Sequence, residues 1–399
     1  MVVWKRIKDV FETRNGYTPS TKNDSFWTGG IIPWFKMDDI RENGSVLNDS
    51  NLHITKKAIK GKGLFKANSI ILATSATIGE HALITVDHLC NQRFTNFFPQ
   101  KEFEEMVDMK YVYYYMFKVD EWCKQHTHQG GFASVDMEGL NKLRIPIPSL
   151  SEQKRIVGIL DTFTDSIENL KQQIAQRRKQ YEHYRDQLYY ANKADMLEAS
   201  KRGEATVKSL DELGTFTRGR RFVRTDIVSE GVPCIHYGDM YTYYGVSAEE
   251  TPTHLTKELS SKLRFAKTGD VVIVAAGEND LDIGVGVAWL GKEPVVVHDA
   301  CFIYEHKMNP KYLSHFMRSR NYHQQIRMGV VDGKICSISA KELGRALIAV
   351  PSLQQQQRIV SILDTFEASI SNLEAQLEQR QKQYEYYRNK LLSFEKEED

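Results

Sequence analysis

No stretch of this chain approaches the ~20 consecutive apolar residues that a membrane span requires, and Met1–Val10 holds no apolar run of the kind a secretion signal carries. Cysteine is scarce. Cys90, Cys123, Cys234, Cys301 and Cys336 are scattered, odd in number and without a C-x-x-C pair, which argues against a disulfide framework or a zinc ribbon and for a reducing compartment. The protein is therefore expected to be soluble and cytoplasmic. Charge of one sign is missing too. The 53 Lys+Arg and 52 Asp+Glu nearly cancel over 399 residues, so a nucleic-acid surface has to come from local clustering. At 41% hydrophobic residues the chain still has apolar material for two or three ordinary cores.

Catalytic signatures are equally hard to find. A self-sufficient DNA methyltransferase needs a glycine-rich cofactor loop after a strand and an Asn-Pro-Pro-Tyr-like turn. Asn309-Pro310-Lys311-Tyr312 lacks the second proline and reads more simply as a helix start with proline in its first turn. Gly284-Val285-Gly286 lies in an apolar run without a third glycine. A nuclease needs a carboxylate and an acid-x-Lys pair to hold Mg²⁺. Asp299 with Glu305-His306-Lys307 is a superficial match at a spacing common by chance, without a counterpart in the first half. His126-Thr127-His128 lacks further ligands at metal-site spacing. No catalytic and no metal-binding residue is assigned, and the chemistry is expected on other chains.

What is present is a duplication. Pro148–Leu188 recurs as Pro351–Leu391 at an offset of 203 without a gap, with 26 of the 41 paired positions identical. A period this long fits a duplicated half-protein, not a solenoid. Elsewhere the halves share a frame but few residues. Lys5-Arg6-Ile7 echoes Lys208-Ser209-Leu210, and Pro33 and Asp39 echo Pro233 and Asp239. Ser69–Thr74 echoes Asp270–Ala275, Lys110-Tyr111-Val112 echoes Lys311-Tyr312-Leu313, and Ser134 and Leu140 echo Ser337 and Leu343. The expected organisation is a globular domain at 1–150, a helical region at 151–192, a polar linker at 193–204, a second domain at 205–353, a second helical region at 354–394 and an acidic tail at 395–399.

Apolar residues in the first repeated run fall at Ile156, Leu160, Phe163, Ile167, Leu170, Ile174, Tyr181, Tyr184 and Leu188, in alternating steps of four and three. The second run repeats them at Ile359, Leu363, Phe366, Ile370, Leu373, Leu377, Tyr384, Tyr387 and Leu391. This is the heptad seam of a coiled coil, broken once in each copy by Arg177 and Arg380, where a charge is expected to set register or face a different partner. Ser149-x-x-Glu152 and Ser352-x-x-Gln355 match the capping box just after Pro148 and Pro351. Each rod should be roughly 60 Å long, and the nearest available partner for its seam is the other copy. Seam residues around Tyr181–Leu188 and Tyr384–Leu391 are expected to be left over for helices of other chains.

The domains read as α+β. Strands are predicted at Ser69–Ala73, Ala82–Val86, Val271–Ala275, Gly284–Leu290, Val295–Val297 and Cys301–Tyr304, and one helix per domain at Lys110–Gln125 and Pro310–Arg327. Basic and aromatic loop residues suit phosphates and base edges. The second domain offers Arg218, Arg220, Arg221 and Arg224, then Tyr237, Asp239 and Tyr241, and Lys334 in a glycine-marked loop. The first offers Arg14, Lys36, Asp38, Lys60, Lys62 and Arg93, with Gln129 and Gly130 in the matching loop. Only Arg218–Arg224 stands above background as a cluster.

The order of variable domain, IPIPSLSEQKRIVGILD helix, variable domain and IAVPSLQQQQRIVSILD helix resembles the specificity subunit of type I restriction–modification systems over the whole chain. The Pro-x-Leu-x-x-Gln-x-x-Ile opening, at Pro148, Leu150, Gln153 and Ile156 and again at Pro351, Leu353, Gln356 and Ile359, carries the resemblance. It implies two target-recognition domains separated by antiparallel helices with pseudo-two-fold symmetry. It also implies double-stranded DNA as ligand, with two modification and two restriction subunits as partners. S-adenosylmethionine, ATP and Mg²⁺ would bind those partners and no cofactor would bind this chain. The alternatives are a coiled-coil scaffold and a stand-alone methyltransferase or nuclease.

Overall fold

The computed structural model describes residues 2–128 and 133–395. All five cysteines are buried free thiols, and among the described residues no helix is long and apolar enough to cross a membrane. Chain contacts divide the molecule into two units, Met1–Asn169 with Leu377–Asp399, and Leu170–Gln376. Both boundaries fall inside the long helices. Each unit therefore holds one globular domain, part of the helix that follows it and part of the other helix.

In the first unit Val3–Arg6 pairs antiparallel with Arg144–Ile147, the segment that leads into the first long helix. A five-stranded sheet runs Phe11–Asn15, Phe94–Pro99, Ser69–Ala73, His81–Ile84, Val46–Leu47, and a smaller sheet runs His53–Ile54, Ile32–Phe35, Leu89–Cys90. The central strand Ser69–Ala73 is buried at every residue, which is why it reads as a continuous apolar run. Helix Met109–Gln125 starts at Asp108, whose carboxylate accepts from the N–H groups of Lys110 and Tyr111.

The second unit repeats this plan. Val207–Ser209 pairs with Leu347–Ala349. The larger sheet runs Gly214–Arg218, Cys301–His306, Val271–Val274, Gly286–Trp289, Ser247–Ala248. The smaller runs Thr253–Leu255, Val232–Ile235, Val295–Val297, with Phe265–Ala266 added at its edge. Matching strands hold matching places, so the duplication extends through domains whose residues no longer match.

Two expectations change. The single helix expected at Pro310–Arg327 is two, Pro310–Phe316 and Arg320–Ile326. Fully buried Ser319 makes the break: its backbone is extended and its hydroxyl accepts from Tyr322 N–H, capping a new helix. The polar stretch at 193–204 holds a helix, Lys193–Lys201, capped by Asn192. Met196 and Ala199, one turn apart, form a buried face against strands Val207–Ser209 and Leu347–Ala349.

The long helices are Leu150–Leu188 and Leu353–Leu391, of 39 residues each, about 58 Å at the standard rise. In the second unit Tyr184 stacks on Phe366 with centroids 5.4 Å apart, and Arg178 pairs with Glu374 at 2.5 Å. The partner's number falls as the residue's own number rises, so the helices run antiparallel. In the first unit Phe163 stacks on Tyr387, also at 5.4 Å. The seam arginines face these rings. Arg177 lies 5.9 Å over Phe366 and Arg380 lies 5.7 Å over Phe163, so each charge meets an aromatic face instead of an apolar hole.

Seam burial is uneven. Ile156, Leu160, Ile174 and Leu363 are buried, whereas Ile167, Leu170, Ile359, Ile370, Leu373 and Leu377 are half-buried. The expectation that the helix ends are left for other chains is corrected at four positions. Tyr181 and Leu188 pack on the core of the second domain, and Tyr384 and Leu391 on that of the first. Tyr184 and Tyr387 remain 46% and 41% exposed. The capping box is complete only in the second helix, where Gln355 N–H donates to Ser352 Oγ and Gln355 Oε1 accepts from Ser352 N–H. In the first, Ser149 Oγ accepts from Glu152 N–H at 3.4 Å, but Arg155 holds the Glu152 carboxylate.

The signature glutamine fastens each helix to its domain. Gln153, fully buried, accepts from Asp108 N–H at 2.8 Å and donates to Met106 O at 2.9 Å and Pro148 O at 2.8 Å. Gln356, 2% exposed, accepts from Asn309 N–H at 2.9 Å and donates to Pro351 O at 2.8 Å. Beside them Lys110 pairs with Asp161 and Lys311 with Asp364, and the hydroxyls of Tyr111 and Tyr312 donate to Pro146 O and Ala349 O.

Candidate nucleic-acid interface

The candidate residues of the second domain gather where strand Gly214–Arg218 leaves its sheet. Gly219 N–H donates to Cys301 O, and a Cβ on Gly219 would lie 2.2 Å from His298 O, so glycine alone lets the chain pass this loop so closely. Arg220 N–H then donates to Val297 O. The Arg218 guanidinium donates to Asp299 O at 2.8 Å, Arg220 donates to Lys262 O at 2.7 Å, and Arg264 donates to Arg218 O at 2.5 Å. Carbonyls thus aim Arg218 and Arg220 while leaving them exposed, with donors to spare. Arg221 and Arg224 are exposed and make no side-chain hydrogen bond or ion pair among the described residues.

Behind these arginines Phe222 is buried against His298, their centroids 5.0 Å apart, and half-buried Tyr237 lies 4.6 Å from His236 and 5.4 Å from His298. Burial holds both imidazoles below their ordinary pKa, against the pull of Asp239 on His236 and of Asp299 on His298. Asp239 turns inward: its carboxylate accepts from His236 N–H at 3.3 Å and Thr253 Oγ1 at 3.0 Å. Its counterpart Asp39, fully buried, accepts from Lys36 N–H and Asn51 N–H. Asp239 thus closes a turn at this rim. The backbone of Tyr241 lies in helix Asp239–Thr242 at the same rim; its side chain is outside the described residues.

The first domain has the same strand exit with other chemistry. Gly16 N–H donates to Phe94 O, and a Cβ there would lie 2.2 Å from Asn91 O. Opposite Arg218, Arg220, Arg221 and Arg224, at the offset of 203, stand Asn15, Tyr17, Thr18 and Thr21. Arg14 donates to Gly63 O at 2.9 Å and stacks 4.0 Å over Phe65. Lys36 pairs with Asp38 at 2.6 Å. Lys60, Lys62 and Arg93 are exposed and without an ion pair among the described residues. Tyr17 ties this rim together: its hydroxyl accepts from Lys60 N–H and donates to Ala58 O, and its N–H donates to Cys90 O.

The glycine-marked loops adjoin both rims. Thr74 N–H donates to Arg93 O and Val135 N–H to Thr74 O, which brings the segment after Gln129 and Gly130 beside Arg93; those two residues lie outside the described ones. In the second domain Ala276 N–H donates to Ala300 O while Ala276 pairs with Ser337, placing the turn with exposed Lys334 beside the loop that aims Arg218. Composition did not single out Tyr17, His236, His298 or Arg264. Aligning Gly16 with Gly219 finds Tyr17, whereas Arg264 and His298 arrive from distant strands without a local signal.

Segments that suggested other chemistry have structural roles. Asn309 caps a helix, accepting from Tyr312 N–H at 3.1 Å, with Pro310 in its first turn. Gly284 is a φ +87° turn packed against Ile326 and Tyr322. His126 stacks on Trp122 at 4.2 Å.

A family profile described as the type I restriction modification DNA specificity domain matches the chain twice, at residues 1–177 and 203–381. The type I restriction enzyme EcoprrI specificity subunit of Escherichia coli is 34% identical over 388 residues, covering 93% of this chain and 89% of that protein. The S subunit of a type I restriction–modification system from M. genitalium superposes with TM-score 0.55 at 16% identity, covering 99% of this chain and 97% of that one. A chain solved in work on complex assembly and conformational transition of the type I R-M system superposes with TM-score 0.62 at 15% identity, covering 98% and 96%.

Proposed function

The chain belongs to the type I restriction–modification DNA specificity family, and from that premise we propose that it reads an asymmetric bipartite DNA site for catalytic partners. The observation that carries this reading is the pairing of one frame with two unlike rims: Gly16 and Gly219 occupy one position, yet the residues around them differ. Each rim docks in the major groove, where all four base pairs are distinguishable. Arg218, Arg220, Arg221, Arg224, Tyr237, Asp239, Tyr241 and Lys334 serve one half-site; Arg14, Lys36, Asp38, Lys60, Lys62, Arg93, Gln129 and Gly130 serve the other. Unlike rims call for unlike half-sites.

The paired helices act as a ruler that fixes the unread spacer, with half-sites near one DNA turn apart, roughly 34–36 Å. Two modification subunits and, for cleavage, two restriction subunits complete the complex. S-adenosylmethionine, ATP and Mg²⁺ bind on those chains, and the work is done in the cytoplasm.

Methylated-site mapping on a random DNA library, with the chain bound to its modification partner, tests this. Wild type should yield two unlike half-sites at one spacing. Inserting four residues after Gln172 and four after Leu377 lengthens each helix by ~6 Å, about two base pairs. The spacer should grow accordingly. An unchanged spacer contradicts the ruler, and binding without sequence preference supports a plain scaffold instead.

A further inference from the structure

Within the second unit three side chains of metal-ligating type converge where the domain meets the second long helix. His315 lies on Pro310–Phe316, and Asp364 and Glu367 lie one turn apart on Leu353–Leu391. Their ligand atoms lie within 4.8 Å of one another. His315 is fully buried. Its Nδ1 is 3.0 Å from the Tyr181 hydroxyl, which also donates to Glu367 Oε1 at 3.3 Å. The hydroxyl proton can lie on Nδ1 or on Glu367; with it on Glu367, Nδ1 carries the imidazole proton and Nε2 presents a lone pair. Nε2 has no hydrogen-bond partner and lies 3.6 Å from Asp364 Oδ1. A cation between Nε2 and Asp364 Oδ1, whose present partner is the Lys311 ammonium at 2.5 Å, would give the unpartnered ring nitrogen a partner.

The first unit provides a comparison. Positions equivalent to His315, Asp364 and Glu367 carry Tyr114, Asp161 and Thr164. There the Tyr114 hydroxyl donates to Asp161 at 2.6 Å, and Lys110 pairs with Asp161 at 2.7 Å. That junction is satisfied by its own hydrogen bonds. The second unit keeps the Asp–Lys pair, with Lys311 Nζ 2.5 Å from Asp364. Both changed positions gain a ligand.

We propose that His315 Nε2, Asp364 and Glu367 form a binding site for one divalent transition cation of the zinc class, joining the second domain to the second long helix, and that the first unit has no such site. One imidazole and two carboxylates suit Zn²⁺ or Co²⁺, with a fourth position for water. The ion takes the place of the Lys311 ammonium on Asp364. The Lys311 side chain is 23% exposed and can turn toward water.

The test uses Co²⁺ titrated into the chelator-treated full-length chain bound to its modification partner, read by visible absorption. Expected are bands of four-coordinate cobalt saturating at one ion per chain, bleached by Zn²⁺. The bands should vanish in H315Y/E367T, which copies residues that already fold at the first junction. In K311M, which removes the competing ammonium, they should saturate at several-fold lower Co²⁺. E367Q, with a neutral and weaker ligand, should need at least ten-fold more ion. Absence of saturable binding in wild type overturns the proposal, as does binding unchanged in both H315Y/E367T and E367Q.

Discussion

In the first domain the helix-fastening glutamine, Gln153, makes three hydrogen bonds to three backbone groups, while Gln356 in the second makes two. Around both, Lys–Asp and Tyr–carbonyl contacts recur at equivalent positions. At the strand exits the reverse holds: Gly16 and Gly219 share a conformational duty, but Arg218, Arg220, Arg221 and Arg224 replace Asn15, Tyr17, Thr18 and Thr21. Contacts joining domain to helix are kept because both ends must fit one helix geometry. At the second rim Arg221 and Arg224 make no side-chain hydrogen bond or ion pair among the described residues, so they are free to follow a ligand.

The largest effects should come from breaking the kept contacts. Gln153→Leu leaves the Asp108 N–H and two carbonyls without their partner, and should destabilise by about 2–4 kcal/mol. Gln356→Leu, losing two bonds, should cost about 1–3 kcal/mol. Urea unfolding of each variant checks the order, and a larger loss in the second unit would mean that the bond count does not decide it.

Acidification probes both domains at once. Burial pushes His88 in the first and His306 in the second down to about 4. The unfolded chain, with histidine near 6.5, therefore takes up these protons first. Stability is intact above that value and falls as pH drops from about 6.5 toward about 4, by on the order of 2–3 kcal/mol per residue. His88→Gln should reduce the acid loss of the first unit only, measured as urea midpoints at pH 7 and pH 5. A pH profile identical to wild type would contradict it.

The mildest test concerns the seam. Phe163 and Phe366 have matching tyrosine stacks, at 25° and 28°, and matching arginines at 5.7 and 5.9 Å. Phe163→Ala and Phe366→Ala should each cost about 1–2 kcal/mol and agree within about 0.5. Calorimetry showing clearly unequal losses would mean the two ends of the seam are not equivalent.

The duplication, the heptads and the proline-marked helix starts were legible because each rests on residues close in sequence. Asn309-Pro310 as a helix start was legible for the same reason. The Ser319 break was not, since helix Pro310–Phe316 ends through the burial of its surroundings and not through a Gly or Pro. The helix at 193–201 hid behind a polar composition because two buried residues suffice to dock it. At the rims, charge alone could not separate Arg14, engaged by Gly63 and Phe65, from unpaired Arg221, because strand order decides which cation is used internally. The end-of-helix tyrosines were misplaced for a related reason: a heptad shows that a side is apolar, not what covers it.

The central claim, one frame with two independent readers, is tested most directly by exchange. Residues 205–350 are replaced by the second domain of another family member, and the methylated site is mapped with the modification partner present. The account predicts that one half-site changes while the other half-site and the spacer stay as they were. A change in both half-sites, or in neither, would contradict it.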